Sequence, residues 1–157
     1  MNKEKIRDYS VKISQSSKTE LVVIMYEIAI EYIEEALTYY EDKDTDGYRN
    51  ALGKARMVVQ ELGAALDMKY PVSKQLMSIY LFVNKALIRA DMRNDMTELK
   101  RIEGIFERLR DTFIQISQSD TSGPVLENAQ QVYAGMTYSK SSLNEDVYTD
   151  TGRGFTV

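Results

Sequence analysis

The side chains in this sequence that could carry acid–base chemistry are carboxylates. Glu34-Glu35 and Glu41-Asp42 form adjacent pairs, and the chain contains no histidine and no cysteine to work beside them. A carboxylate acts as a general acid or base near neutral pH only when burial or a like-charged neighbour moves its pKa. Adjacent residues on a helix do not face each other, so these pairs read as solvated surface. The lack of His and Cys excludes thiol nucleophiles, imidazole relays, disulfides and the usual zinc and haem sites. It also excludes the Glu-x-x-His pairs that hold di-iron in helical bundles. Neither phosphate-cradling glycine motif occurs, and Gly152-Arg153-Gly154 is too short to replace one. The residues name no nucleophile with its base, no metal set and no cofactor. An enzyme is not expected, and the chemistry to look for is binding.

The whole composition agrees with that. The 157 residues are the size of one domain, with 43% hydrophobic and 28% charged side chains, as in a globular protein. Net charge is -4, with pI near 5.0, so there is no basic excess to neutralise nucleic-acid phosphates. No segment approaches the roughly 20 apolar residues needed to cross a bilayer. The start, MNKEKIRDYS, is charged and has no apolar run behind it before Leu21, which is not the pattern of a signal peptide. A cytoplasmic protein without membrane insertion is expected.

The elements that must position any binding residues are helices. Ser17 and Glu20 have the spacing of a capping box, and Leu21, Ile24, Met25, Ile28, Tyr32, Ala36 and Tyr40 then recur at helical intervals. The cluster Asp42–Gly47 breaks the chain. A second helix over about 47–67 carries Ala51, Ala55, Val58, Leu62 and Ala65, with Val59 and Leu66 beside them. Pro71 suits the first turn of a third helix, over 72–93, with Leu76, Ile79, Tyr80, Val83, Leu87 and Ala90 on one face. A fourth helix opens at Asp95, with Glu98 in capping-box position, and presents Leu99, Ile102, Phe106, Leu109, Phe113 and Ile116 as a heptad-like seam. Four helices with short links predict an all-α fold, an antiparallel four-helix bundle over 17–117. Residues 1–16 form an N-terminal arm. Residues 118–157 hold four of the eight glycines and many Ser, Thr and Asn, and read as a flexible C-terminal tail.

One seam per helix is enough to build a bundle, yet Val22, Val23, Tyr26 and Ile30 fall off the first seam, and the third helix is apolar on more than one face. Met25, Met57, Met68, Met77, Met92 and Met96 add adaptable surface. Something must cover the surplus: the arm, the tail or another protein. The arm has apolar anchors at Ile6, Tyr9, Val11 and Ile13. The tail has them at Val132, Tyr133, Met136, Tyr138, Leu143, Val147, Tyr148 and Phe155.

In order and spacing these residues resemble the FliS-type flagellar secretion chaperones over about residues 6–117. The arm element Ile-x-x-Tyr is Ile6-Arg7-Asp8-Tyr9, and the opening of the first helix is Leu21-Val22-Val23-Ile24-Met25-Tyr26. The second helix matches as KARMVVQELGAALD (Lys54–Asp67), the third at Ile79–Phe82 and Leu87–Asp95, and the fourth at Arg101–Phe113. The sequence departs from the family pattern around Lys18, where the family has a proline, at Glu27-Ile28, Asp91 and Phe113, and in a longer tail from 118. The resemblance implies a cytosolic export chaperone. It would bind the amphipathic C-terminal segment of flagellin, prevent premature polymerisation and deliver the client to the flagellar type III export gate. Ile6 and Tyr9 would serve at the gate. With Ile13, Val22, Tyr26, Leu62, Leu66, Tyr80 and Leu87 they make up the candidate binding residues, and a weak homodimer is expected when the chaperone is empty. The alternative is a regulatory or assembly module for a different flagellar client, with its own tail as a lid.

Overall fold

The computed structural model describes residues 1–125. Five helices follow one another: α1 (Lys3–Gln15), α2 (Lys18–Glu41), α3 (Thr45–Ala64), α4 (Pro71–Arg93) and α5 (Met96–Ser117). No strand occurs among the described residues. The all-α class is as expected. The arm, however, is itself a helix, so five helices stand where the sequence suggested four. Most of the expected tail, 126–157, lies outside the described residues.

Local chemistry sets the helix ends. The Ser17 hydroxyl accepts the Glu20 N–H, and the Glu20 carboxylate accepts the Ser17 N–H at 2.8 Å, closing the expected box. Asp44 caps α3 by accepting the Gly47 N–H at 2.9 Å. Pro71 lies in the first turn of α4. Asn94, at φ 54, ends that helix in the left-handed conformation. The second expected box is not formed. Asp95 accepts the Thr97 N–H, while Glu98 reaches across to Arg89 at 2.6 Å and ties α5 to α4.

The helix α2 packs against α3 and α5, α4 packs against the same two, and α1 rests on α2. The core lies among α2, α3, α4 and α5. Its largest fully buried side chains include Tyr26, Ile33, Tyr48, Leu52, Leu87, Leu99, Ile102 and Phe106. Burying one such side chain contributes about 1.5–3 kcal/mol.

The buried face of α2 differs in phase from the expected one. Val23, Tyr26, Ala29, Ile30, Ile33 and Ala36 face the core with Ile24, whereas Leu21, Met25, Ile28, Tyr32 and Tyr40 are only partly buried. Three residues read as surplus, Val23, Tyr26 and Ile30, therefore belong to the core. The reason is physical. The segment from Leu21 to Ile33 is apolar around most of its circumference, so spacing alone admits more than one phase, and the partner helices select among them. On α5 only Leu99, Ile102 and Phe106 are fully covered. Leu109 and Phe113 are half-buried and Ile116 is exposed, so the seam runs out before the helix does.

Candidate functional site

The uncovered part of the α5 seam borders a cavity. Beyond Ser117 the chain turns back across the start of α2. The Thr19 hydroxyl donates to Asp120, and the Ser122 N–H donates to the same carboxylate at 2.9 Å. These bonds, with the Ser122 hydroxyl first among them, hold the Asp120 carboxyl well below the usual carboxylate range. The Val125 N–H then donates to the Ser16 carbonyl at 3.1 Å. Between this strap, α2, the end of α3 and the start of α4 lies a cavity of about 470 Å³. Val22 and Met25 line it from α2, Leu62 and Leu66 from α3 and the residues after it, Leu76 and Tyr80 from α4, and Phe113 from α5.

An aromatic group closes the back of this cavity. The Tyr26 and Tyr80 hydroxyls are 2.5 Å apart and hydrogen-bonded to each other. Burial pushes both phenols above their ordinary pKa, so each stays neutral and the pair satisfies itself. The Tyr26 ring lies 5.9 Å from Phe106 and meets Phe113 edge-on at 5.5 Å. The site therefore offers apolar contact area rather than an acid, a base or a free charge. Only Lys18 and Asp67 bring formal charge to its edge.

Two further surfaces adjoin the core. An open groove of about 450 Å³ between α4 and α5 is walled by Ile79, Phe82, Ile105 and Leu109. On the other side, α1 contributes no buried residue. Ions hold it instead: the N-terminal ammonium to Glu35 at 2.5 Å, Lys5 to Glu31 at 2.6 Å and Lys12 to Glu27 at 3.6 Å. Hydrogen bonding to Glu31 raises the Lys5 pKa. Tyr9 lies half-buried in the crevice between these charges, with Lys12 5.3 Å from its ring. Desolvation first, and then Glu27, Glu31 and Glu34, push its phenol up to about 12.

The nine residues expected to bind thus separate into three groups. Val22, Leu62, Leu66 and Tyr80 meet in the one cavity. Ile6, Tyr9 and Ile13 share α1, where Ile6 is exposed and the other two are partly buried. Tyr26 and Leu87 are wholly buried. Tyr26 stands behind the cavity, hydrogen-bonded to Tyr80, and Leu87 packs in the core. Met25, Tyr70 and Phe113 also line the cavity and were not among the nine. Met25 and Phe113 fall on the helical seams of the sequence, and Tyr70 directly precedes Pro71. Periodicity cannot tell a seam residue under cover from one at an opening.

The family model described as Flagellar protein FliS matches residues 1–120. This chain belongs to the FliS family. The match takes in α1 and all four core helices, and it stops in the strap before Val125. Among curated relatives, the Flagellar secretion chaperone FliS of Bacillus subtilis (strain 168) is 26% identical over 108 residues, spanning 69% of this chain and 81% of the relative. The protein of the same name from Escherichia coli (strain K12) is 21% identical over 104 residues, 64% of this chain and 76% of the relative. That of Salmonella typhimurium (strain LT2) is 24% identical over 108 residues, 67% and 80%. At these identities most aligned side chains differ between this chain and its FliS relatives.

Proposed function

We propose that this FliS-family chain is a cytoplasmic flagellar export chaperone that buries the C-terminal helical segment of flagellin in the cavity walled by Val22, Leu62, Leu66 and Tyr80. The observation that carries the reading is that apolar cavity, left open between α2, α3, α4 and α5 in a chain of this family. An amphipathic segment that polymerises through its apolar face needs that face hidden until export, and an apolar trough hides it without nucleotide or covalent chemistry. Each anchor side chain that enters contributes about 1.5–3 kcal/mol. Ordering the incoming segment costs about 2–5 kcal/mol, so a few anchors leave a reversible complex. Release can then follow from competition at the export gate. Ile6 and Tyr9 lie on the ion-held helix α1, where a second partner can reach them without opening the core.

The test is calorimetry of the full chain with a peptide of the flagellin C-terminal segment. Binding with a negative heat-capacity change is expected. Leu66→Asp, with helicity retained, is expected to weaken it at least about tenfold, the equivalent of about 1.4 kcal/mol. Absence of binding by the unaltered chain refutes the reading.

A further inference from the structure

We propose that the chain's own C-terminal segment, through Val132, Tyr133 and Met136, fills the cavity at the α2 start while no client is bound, and so competes with the client from within the same molecule. That the client uses this cavity rests on the function proposed above. That the segment fills it does not.

The chain is delivered to the site. Asp120, held by Thr19 and Ser122, and the bond from the Val125 N–H to Ser16 carry the strap over the start of α2. Val125 is itself one of the residues lining the cavity. The described residues end there, with 126–157 still to follow. From Val125 to Tyr133 the chain reaches about 12 Å if helical and about 26 Å if extended, so either form lets it lie along the cavity.

The residues that follow have the right chemistry. Between Leu126 and Tyr138 only Glu127 is charged. Val125, Ala129, Val132, Tyr133 and Met136 recur at intervals of one helical face, and Pro124 suits a first turn. Such a face is a counterpart to walls made of Val22, Met25, Leu66 and Phe113. From Ser139 to Ser142 the sequence turns polar, which limits the apolar stretch to the part nearest the cavity.

Tethering makes a weak contact sufficient. A segment joined at the edge of its site has an effective concentration in the millimolar range. A contact with a dissociation constant of about 0.1 mM, negligible between separate molecules, then fills the site about ten times out of eleven. The client meets an open cavity in the remaining fraction, and its apparent affinity falls about tenfold. Residues 121–157 lie beyond the family match.

The chain has no tryptophan, so Tyr133→Trp in the full-length protein installs a single reporter. A filled cavity gives emission shifted to the blue and shielded from acrylamide, independent of protein concentration. Leu66→Asp or, should that variant lose helicity, Val22→Ser is expected to shift the emission to the red. Emission typical of full exposure, or emission indifferent to both wall variants, overturns the proposal. So does a red shift on dilution, which would show a second copy in the cavity rather than the chain's own end. With flagellin peptide the reporter is expected to move to the red, and Tyr133→Asp with Met136→Asp to tighten peptide binding about tenfold. A buried reporter with no peptide binding leaves this inference standing and refutes the function. Peptide binding with an exposed reporter does the reverse.

Discussion

The two ends of the helical core are built differently. At one end α2 passes into α3 through Asp42, Lys43 and Asp44, and α4 into α5 through Asn94 and Asp95. The Tyr48 hydroxyl donates to the Ala90 carbonyl at 3.0 Å, and a Cβ at Gly47 would fall 2.5 Å from the Tyr39 ring. At the other end the residues from Ala65 to Tyr70 join α3 to α4, and α2 begins where α5 has already stopped being covered. Tight turns pull helix ends together and exclude space. A longer link beside two chain entries leaves them apart, and the 470 Å³ cavity lies there. A cavity in a bundle therefore need not cost the core its packing, because the opening can be confined to the end with the looser connections.

Substitutions can break or sharpen this comparison. The largest effect is expected at the covered part of α5: Leu99→Ala should lose about 2–5 kcal/mol in urea denaturation. Leu66→Ala at the cavity should lose less than about 1 kcal/mol while weakening peptide binding. Equal losses would show that both ends are packed alike. Leu109→Asp, on a half-buried position in the groove between α4 and α5, should leave the chain folded by circular dichroism. Unfolding would restore it to the core seam.

Next comes Tyr48→Phe, which removes one donor from the Ala90 carbonyl but leaves it the Asn94 and Asp95 N–H groups, and should cost about 0.5–1.5 kcal/mol. Burial, followed by Asp91, pushes the Tyr48 phenol up to about 12. The unfolded chain gives up this proton near 10, so the stabilisation is present below that pH and is lost as pH rises from 10 towards 12. Urea midpoints should fall across that window, and less steeply in Tyr48→Phe. An unchanged slope would contradict the burial of this hydroxyl.

The smallest effect is expected on α1. Tyr9→Ala should change stability by no more than about 0.5 kcal/mol, since no α1 residue is buried. Salt near 1 M should speed amide exchange in α1 but not in α3, because exposed ion pairs are screened. A large fall in melting temperature for Tyr9→Ala would place α1 in the cooperative core.

Much of the architecture was legible in the sequence because helix boundaries are local events. Ser17 with Glu20 and Pro71 act within one turn, and their spacing is visible in the chain. The order of weak motifs over 6–117 likewise pointed to the family that the match over 1–120 shows. What the tertiary structure alone decided is which side of each apolar helix is covered. The α2 segment from Leu21 to Ile33 presents apolar side chains in nearly every direction, so its phase depends on the shapes of α3 and α5. Tyr26 meets Tyr80 across 54 residues of sequence, a contact no periodicity reports. The cavity is likewise a product of link lengths and of where α5 ends relative to α2. Periodicity registers that a side chain is apolar, whereas only packing determines whether a neighbour reaches it.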